Sequence, residues 1–316
     1  MIQRVSNHIE SLMLSEEAVR RQFEASAEEM DTQGLENYDP LMESSHEAVA
    51  GLIHKYSNRA LCLMTAECAA YCRFCTRRRL VSDLELGRVT RCHIDRWAAY
   101  LKDHPEVNEV ILSGGDPFTV SDELFDYALQ TLSALDTIKL LRIGTRVPVS
   151  DPSLVNCGKL ESISSIEKPV YVGINFEHPA EITCPTRHSI KDLRKAGAIL
   201  YSQSVFLKGV NDDYETLYRL FNGLLEIGVR PYYIYHCDPV PGIAHFIVDI
   251  EKEREIMTRL RNTLSGLACP SYVIDTPEGS GKIPVPLNYW DVDITSFKDF
   301  NGDVYQMPKS EEQSNA

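Results

Sequence analysis

The sequence predicts an α/β fold, a partial βα barrel with an N-terminal helical extension. Three observations predict it. From residue 60 onward, short β-rich runs alternate with helical patterns, which means parallel strands joined by right-handed crossovers. Six or seven such units in 316 residues suit one barrel better than two small domains. Cysteines and unusual polar residues follow the strands, at the ends where a barrel carries its chemistry.

Residues 1–59, polar and strongly charged, form the extension. Within it 16–30 reads as one helix, with Ala18, Val19, Phe23 and Ala27 near helical spacing. The barrel takes 60–290. Its expected strands are 60–65, 109–113, 139–145, 170–176, 199–207, 230–236 and 271–275. Most are separated by expected helices at 93–103, 121–135, 186–196, 213–227 and 250–264. Residues 291–316 form a C-terminal tail, frayed over 309–315.

Apolar residues make up 43% and charged residues 25%, an ordinary globular balance. The net charge of -14 argues against nucleic acid or an anionic membrane surface as partner. No apolar run is long enough to span a bilayer, and the first residues do not read as a secretory signal. Nine cysteines, an odd number, then point to a reducing, cytoplasmic setting and to metal binding or catalysis.

Cys68-Ala69-Ala70-Tyr71-Cys72-Arg73-Phe74-Cys75 stands directly after the first barrel strand. Three thiols on one loop can wrap one face of an iron-sulfur cluster and leave one iron open. A zinc site completed by Cys62, Cys92 or His54, or a redox Cys-x-x-Cys pair, is the alternative. Ser113-Gly114-Gly115-Asp116 alone is a strand-ending turn. Lys282, behind Gly279-Ser280-Gly281, can reach into a site and form a Schiff base, though a lone loop lysine is commonly just exposed. A P-loop is excluded by spacing. Arg77-Arg78-Arg79 is either a solvated charge run or a carboxylate-binding site.

The C-x3-C-x2-C spacing, with Phe74 before the last cysteine, resembles the radical S-adenosylmethionine (SAM) superfamily. The resemblance implies a partial (βα)6-type radical SAM barrel. In it Cys68, Cys72 and Cys75 hold a 4Fe-4S cluster, and the open iron chelates SAM. Over 46–290 it narrows to the lysine 2,3-aminomutases. The carrying stretches are Cys72-Arg73-Phe74-Cys75-Thr76-Arg77-Arg78-Arg79, Ile111-Leu112-Ser113-Gly114-Gly115-Asp116, Gln203-Ser204-Val205, Gly209-Val210-Asn211-Asp212, Arg230-Pro231-Tyr232-Tyr233-Ile234-Tyr235 and Asp275-Thr276-Pro277-Glu278-Gly279-Ser280-Gly281-Lys282.

The family couples SAM radical chemistry to pyridoxal phosphate (PLP), so the resemblance assigns PLP to Lys282 and its phosphate to Lys55, Tyr56 and Arg59. Lys55 replaces the usual arginine. Asn175, His178, Gln203 and Tyr235 are expected to line the cofactor pocket. The first three join Phe74, Ser113, Gly114, Gly115 and Asp116 on the SAM side, and Tyr235 joins Lys282 as a catalytic residue. Arg77 is expected to bind the substrate α-carboxylate, and Asp238 with Asp275 the distal ammonium of a free basic amino acid.

The implied reaction is migration of the α-amino group of lysine to C3. Arginine, by 2,3-migration or by PLP-assisted desaturation, is the alternative substrate. A non-catalytic metal-binding interaction protein is the rival from another class, and the retained Lys282, Arg77, Asp238 and Asp275 argue against it. The implied partners are an electron donor such as flavodoxin or ferredoxin, and a second copy in a homodimer. Asp213 stands where the family's zinc site needs a cysteine, and no cysteine follows Cys269, so zinc is not expected. His236 and Asp238-Pro239-Val240-Pro241 also depart from the family's wording.

Overall fold

The computed structural model describes residues 3–32, 35, 37–81, 88–276, 281–289, 296–299 and 301–306. Gly279 and Ser280 of the lysine loop, and the 309–315 end of the tail, lie outside the described residues.

Seven parallel strands form the body of one sheet. They are β3 (Arg59–Leu63), β4 (Glu109–Ser113), β5 (Leu140–Thr145), β6 (Val170–Asn175), β7 (Ile199–Val205), β8 (Arg230–Tyr235) and β9 (Ser271–Asp275). Two antiparallel strands, β1 (Glu47–Val49) and β2 (Leu52–Tyr56), precede β3 at one edge, and β10 (Lys282–Pro284) pairs antiparallel with β9 at the other. The strands stand in chain order from β1 to β10, which makes an open, partial barrel. The sheet thus begins inside the stretch read as a helical extension. Tyr56 pairs with Arg59 across Ser57-Asn58, a two-residue hairpin whose polar pair is a turn signal.

Helices α3 (Arg91–Asp103), α4 (Asp122–Ser133), α7 (Cys184–Lys195), α8 (Tyr214–Glu226) and α9 (Ile250–Thr263) fall within a few residues of expectation. The crossover from β5 to β6 carries two helices not expected, α5 (Val147–Ser150) and α6 (Cys157–Ser164). Both are short, and α6 buries little apolar surface, so periodicity does not reveal it. Trp97, Leu101, Phe125, Leu129, Ile190 and Leu220 pack under the helices onto Leu112, Ile143 and Val172 of the sheet. Truncating Phe125 in this layer to Ala costs about 3–5 kcal/mol.

The single helix expected over 16–30 is broken. The extension carries α1 (Asn7–Ser15) and α2 (Glu17–Phe23), then leaves the helix at Glu24, and a 3-10 turn runs over Ala27–Met30. The reason is a capping box: Ser26 caps the new turn and Glu29 bonds back to the Ser26 amide at 3.3 Å, a start signal that ends what precedes it. Val19 and Phe23, four apart, pack with Ile9 and Ala70 of the cysteine loop.

Strand alternation makes the barrel interior polar. Arg142 of β5 bonds Glu109 of β4 at 2.9 Å and the Tyr201 hydroxyl of β7 at 3.0 Å. Gly173 of β6 leaves room for that tyrosine, since a Cβ there would lie 2.4 Å from its ring. No described helix is long and apolar enough to cross a membrane.

Candidate active site

The cysteine loop leaves the C-terminal end of β3 and is locked by the turn after β4. Met64 N donates to Ser113 O at 2.9 Å, Gly115 N to Thr65 O at 2.6 Å and Asp116 N to Glu67 O at 2.8 Å. This approach requires the two glycines: a Cβ on Gly114 or Gly115 would lie 2.4 or 2.2 Å from the carbonyl oxygens of Thr65 and Glu67. Asp116 is buried, and its carboxylate accepts from Thr145 Oγ1 and from the amides of Phe118, Arg146 and Val147. Burial pushes it up to about 6 against those bonds. Its side chain therefore ties the turn after β4 to the end of β5.

Burial pushes the thiol of Cys75 up to about 11 and that of Cys68 well above its ordinary range, and the charges of their fellow cysteines add to both shifts. Iron would reverse this, because a coordinating thiol is deprotonated outright. Arg146, which the sequence reading missed, donates to Cys72 Sγ at 2.8 Å and to Glu181 at 3.1 Å, and also to Gln22. Its guanidinium lies 5.3 Å from the ring of Phe74. Among the described residues no three His, Cys, Asp or Glu side chains gather around one metal ion. Three free thiols on one loop are the donor set an iron-sulfur cluster takes, so the residues present fit that group.

Lys282 Nζ lies 2.7 and 2.8 Å from the oxygens of Asp275, its partner across the β9–β10 pair, and 5.3 Å from the centre of the Tyr235 ring. Burial pushes the Tyr235 hydroxyl well up. Arg59 lies over the Tyr56 ring at 4.3 Å, and its Nε is buried without a hydrogen-bond partner among the described residues. An unsatisfied guanidinium donor beside Lys55 and Tyr56 is what a phosphate needs, so these residues fit PLP. Lys55 Nζ donates to Leu41 O at 3.3 Å, and burial lowers its ammonium below the ordinary lysine range.

Asp238 follows β8 and accepts from Thr76 Oγ1 at 2.9 Å. Burial, then the charge of Asp275, pushes Asp238 up to about 6. The acid pair is thus brought together and tied to the cysteine loop next to Arg77. Arg77 itself holds Glu43, with Nε 3.0 Å from both carboxylate oxygens and Nη2 2.7 Å from Oε1, and its Nη1 donates to Ser113 Oγ at 3.0 Å. The rest of the arginine run also grips the extension: Arg73 and Arg78 share Glu29, and Arg79 pairs with Asp39. It is not a solvated charge face. Glu43, Glu29 and Asp39 were invisible as partners because acidic residues are common in the extension.

Asn175, at the end of β6, and Gln203 of β7 are register partners on neighbouring strands. His178, expected on the SAM side, also caps the 3-10 turn Pro179–Glu181, its Nδ1 accepting from Ala180 N at 3.3 Å. Asp213 caps α8, accepting from Thr216 N at 3.0 Å.

An open parallel barrel whose first parallel strand feeds a three-cysteine loop is the fold of radical SAM enzymes. A radical SAM methyltransferase from Sphaerobacter thermophilus shares it with a TM-score of 0.50 at 14% identity, over 71% of this chain and 68% of that one. No protein-family model matches the chain. The L-lysine 2,3-aminomutase of Acetoanaerobium sticklandii is 41% identical over 273 residues, 86% of this chain and 65% of that one. The L-lysine 2,3-aminomutase of Methanococcus maripaludis is 36% identical over 292 residues, 92% of this chain and 67% of that one. The chain belongs to the lysine 2,3-aminomutase family. It spans 65% of the length of the first of these relatives.

Proposed function

We propose that the protein is a radical SAM, PLP-dependent enzyme that moves the α-amino group of lysine to C3. The observation that carries this reading is the acid pair, Asp238 and Asp275, at neighbouring strand ends, with Asp275 already paired to a primary ammonium, that of Lys282. Thr76 joins Asp238 to the loop that carries Arg77. An amino acid gripped by Arg77 at its carboxylate and by the two aspartates at its far ammonium has its β-carbon fixed between them.

When bound, the cluster and SAM supply a 5′-deoxyadenosyl radical, and PLP supplies the conjugated system that carries the migrating nitrogen. Cys68, Cys72 and Cys75 hold the cluster. Lys282 would be the attachment point for PLP, Lys55, Tyr56 and Arg59 would hold its phosphate, and Tyr235 would line its pocket. Asp275 holds the Lys282 ammonium ready and takes the substrate ammonium in its place. Phe74, the turn Ser113-Gly114-Gly115-Asp116, Asn175, His178 and Gln203 would line the SAM side.

A buried acid pair repels a side-chain carboxylate and is left unpaired by an apolar side chain, so glutamate and leucine are disfavoured. Lysine is preferred over arginine because lysine is the substrate named for both relatives compared above. A low-potential donor such as flavodoxin or ferredoxin would reduce the cluster in a reducing cytoplasm, to which the nine unpaired cysteines are suited, and the proposed assembly is a homodimer. The test is anaerobic incubation of reconstituted protein with lysine, reductant, SAM and PLP, with the product read by NMR. The expected product is 3,6-diaminohexanoate. Unchanged lysine beside turnover of another amino acid would overturn the reading.

A further inference from the structure

The turn over 39–43 makes contacts that the proposed mechanism has not used. Asp39 accepts from the amides of Glu43 at 3.0 Å and Ser44 at 2.9 Å, while Arg79 holds its carboxylate at 2.9 Å. Met42 has φ +54, the one non-glycine with positive φ among the described residues. A side chain with a Cβ is disfavoured there, and such conformations persist where the surroundings demand them. This strained, clamped turn delivers Leu41 O to Lys55 and the Glu43 carboxylate, whose side chain is 8% exposed, to Arg77.

A guanidinium has five N–H donors. Glu43 takes those of Nε and one of Nη2, and Ser113 takes one of Nη1. One N–H on each terminal nitrogen is left, free to donate to a carboxylate. We propose that Glu43 is a positioning residue that turns Arg77 so that this remaining pair meets the α-carboxylate of the amino-acid substrate. The proposal rests on the aminomutase reading above. Glu43 also supplies the counter-charge that lets Arg77 sit 21% exposed in the site before substrate arrives. If Glu43 instead competed with substrate for Arg77, removing it would tighten binding, so the two roles differ in sign.

The test uses full-length protein carrying cluster, SAM and PLP, without reductant. Lysine is titrated against the PLP absorbance, which gives Kd independently of turnover. Glu43→Ala is expected to raise Kd for lysine about 10–100-fold, and Glu43→Gln, which keeps one acceptor, by less. Lysinamide, which lacks the carboxylate, should bind wild type and Glu43→Ala alike, a selectivity that a general loosening of the fold would not produce. Unchanged or lower Kd for lysine in Glu43→Gln, with iron content and melting temperature as in wild type, would overturn the proposal. So would equal weakening for lysine and lysinamide. A wild type whose absorbance ignores lysine would instead overturn the aminomutase reading, and the proposal with it.

Discussion

Lys282 Nζ lies 2.7 Å from Asp275 Oδ1, an ion pair between register partners of the antiparallel β9–β10 pair. The lysine read as the PLP attachment point is held by one of the two acids read as the substrate's ammonium site. One carboxylate therefore serves both, and PLP loading should leave it free for the substrate.

PLP is expected to attach at Lys282 and at no other lysine. Reconstituted protein should show the absorbance of lysine-bound PLP, and borohydride should trap the adduct on Lys282. Peptide mass spectrometry locating the adduct on Lys55 would contradict this. Asp275→Asn should still be trapped.

Asp238→Asn and Asp275→Asn should each reduce turnover of the basic substrate by about 100- to 5000-fold, the cost of about 3–5 kcal/mol for stranding one partner of a buried ion pair. SAM and PLP binding should persist. Wild-type turnover by either variant would sink the acid-pair assignment.

Asp238 also makes stability depend on pH. Burial beside Asp275 raises it to about 6, above its unfolded value, so the native state binds more protons than the unfolded state between about pH 4 and 6. Its contribution therefore becomes more unfavourable as pH rises through that window, by up to about 3 kcal/mol. Asp238→Asn should flatten the fall in urea midpoint from pH 4 to 7. An unchanged slope would show that the folded-state shift is absent.

Alanine at Cys68, Cys72 or Cys75 should each abolish iron and sulfide retention after reconstitution, and alanine at Cys62 or Cys92 should not. Cys62 is fully buried, with its thiol pushed far from ionisation, and Cys92 is exposed on α3. With Asp213 engaged in capping α8, metal analysis should find iron without stoichiometric zinc. About one zinc per chain would contradict this.

What was legible in the sequence was local in the chain. The barrel strands follow from runs of β-branched and aromatic residues, and the cysteines, the glycine turn and Lys282 each stand in a short stretch of distinctive spacing. What escaped depends on residues far apart that only folding brings together. Arg77 meets Glu43 across 34 positions, Arg146 meets Cys72 across 74, and Thr76 meets Asp238 across 162. The 16–30 helix failed for a different reason: Ser26 and Glu29 restart the chain three residues after Phe23, and a periodicity count ignores capping.

The central claim is that Arg77 at one end and Asp238 with Asp275 at the other select a free basic amino acid. The most direct measurement is side-by-side turnover of lysine, arginine, ornithine, glutamate and leucine by reconstituted protein, with products identified by mass and NMR. The account predicts 3,6-diaminohexanoate from lysine as the fastest product, and none from glutamate or leucine. Preferential turnover of glutamate or leucine would contradict it.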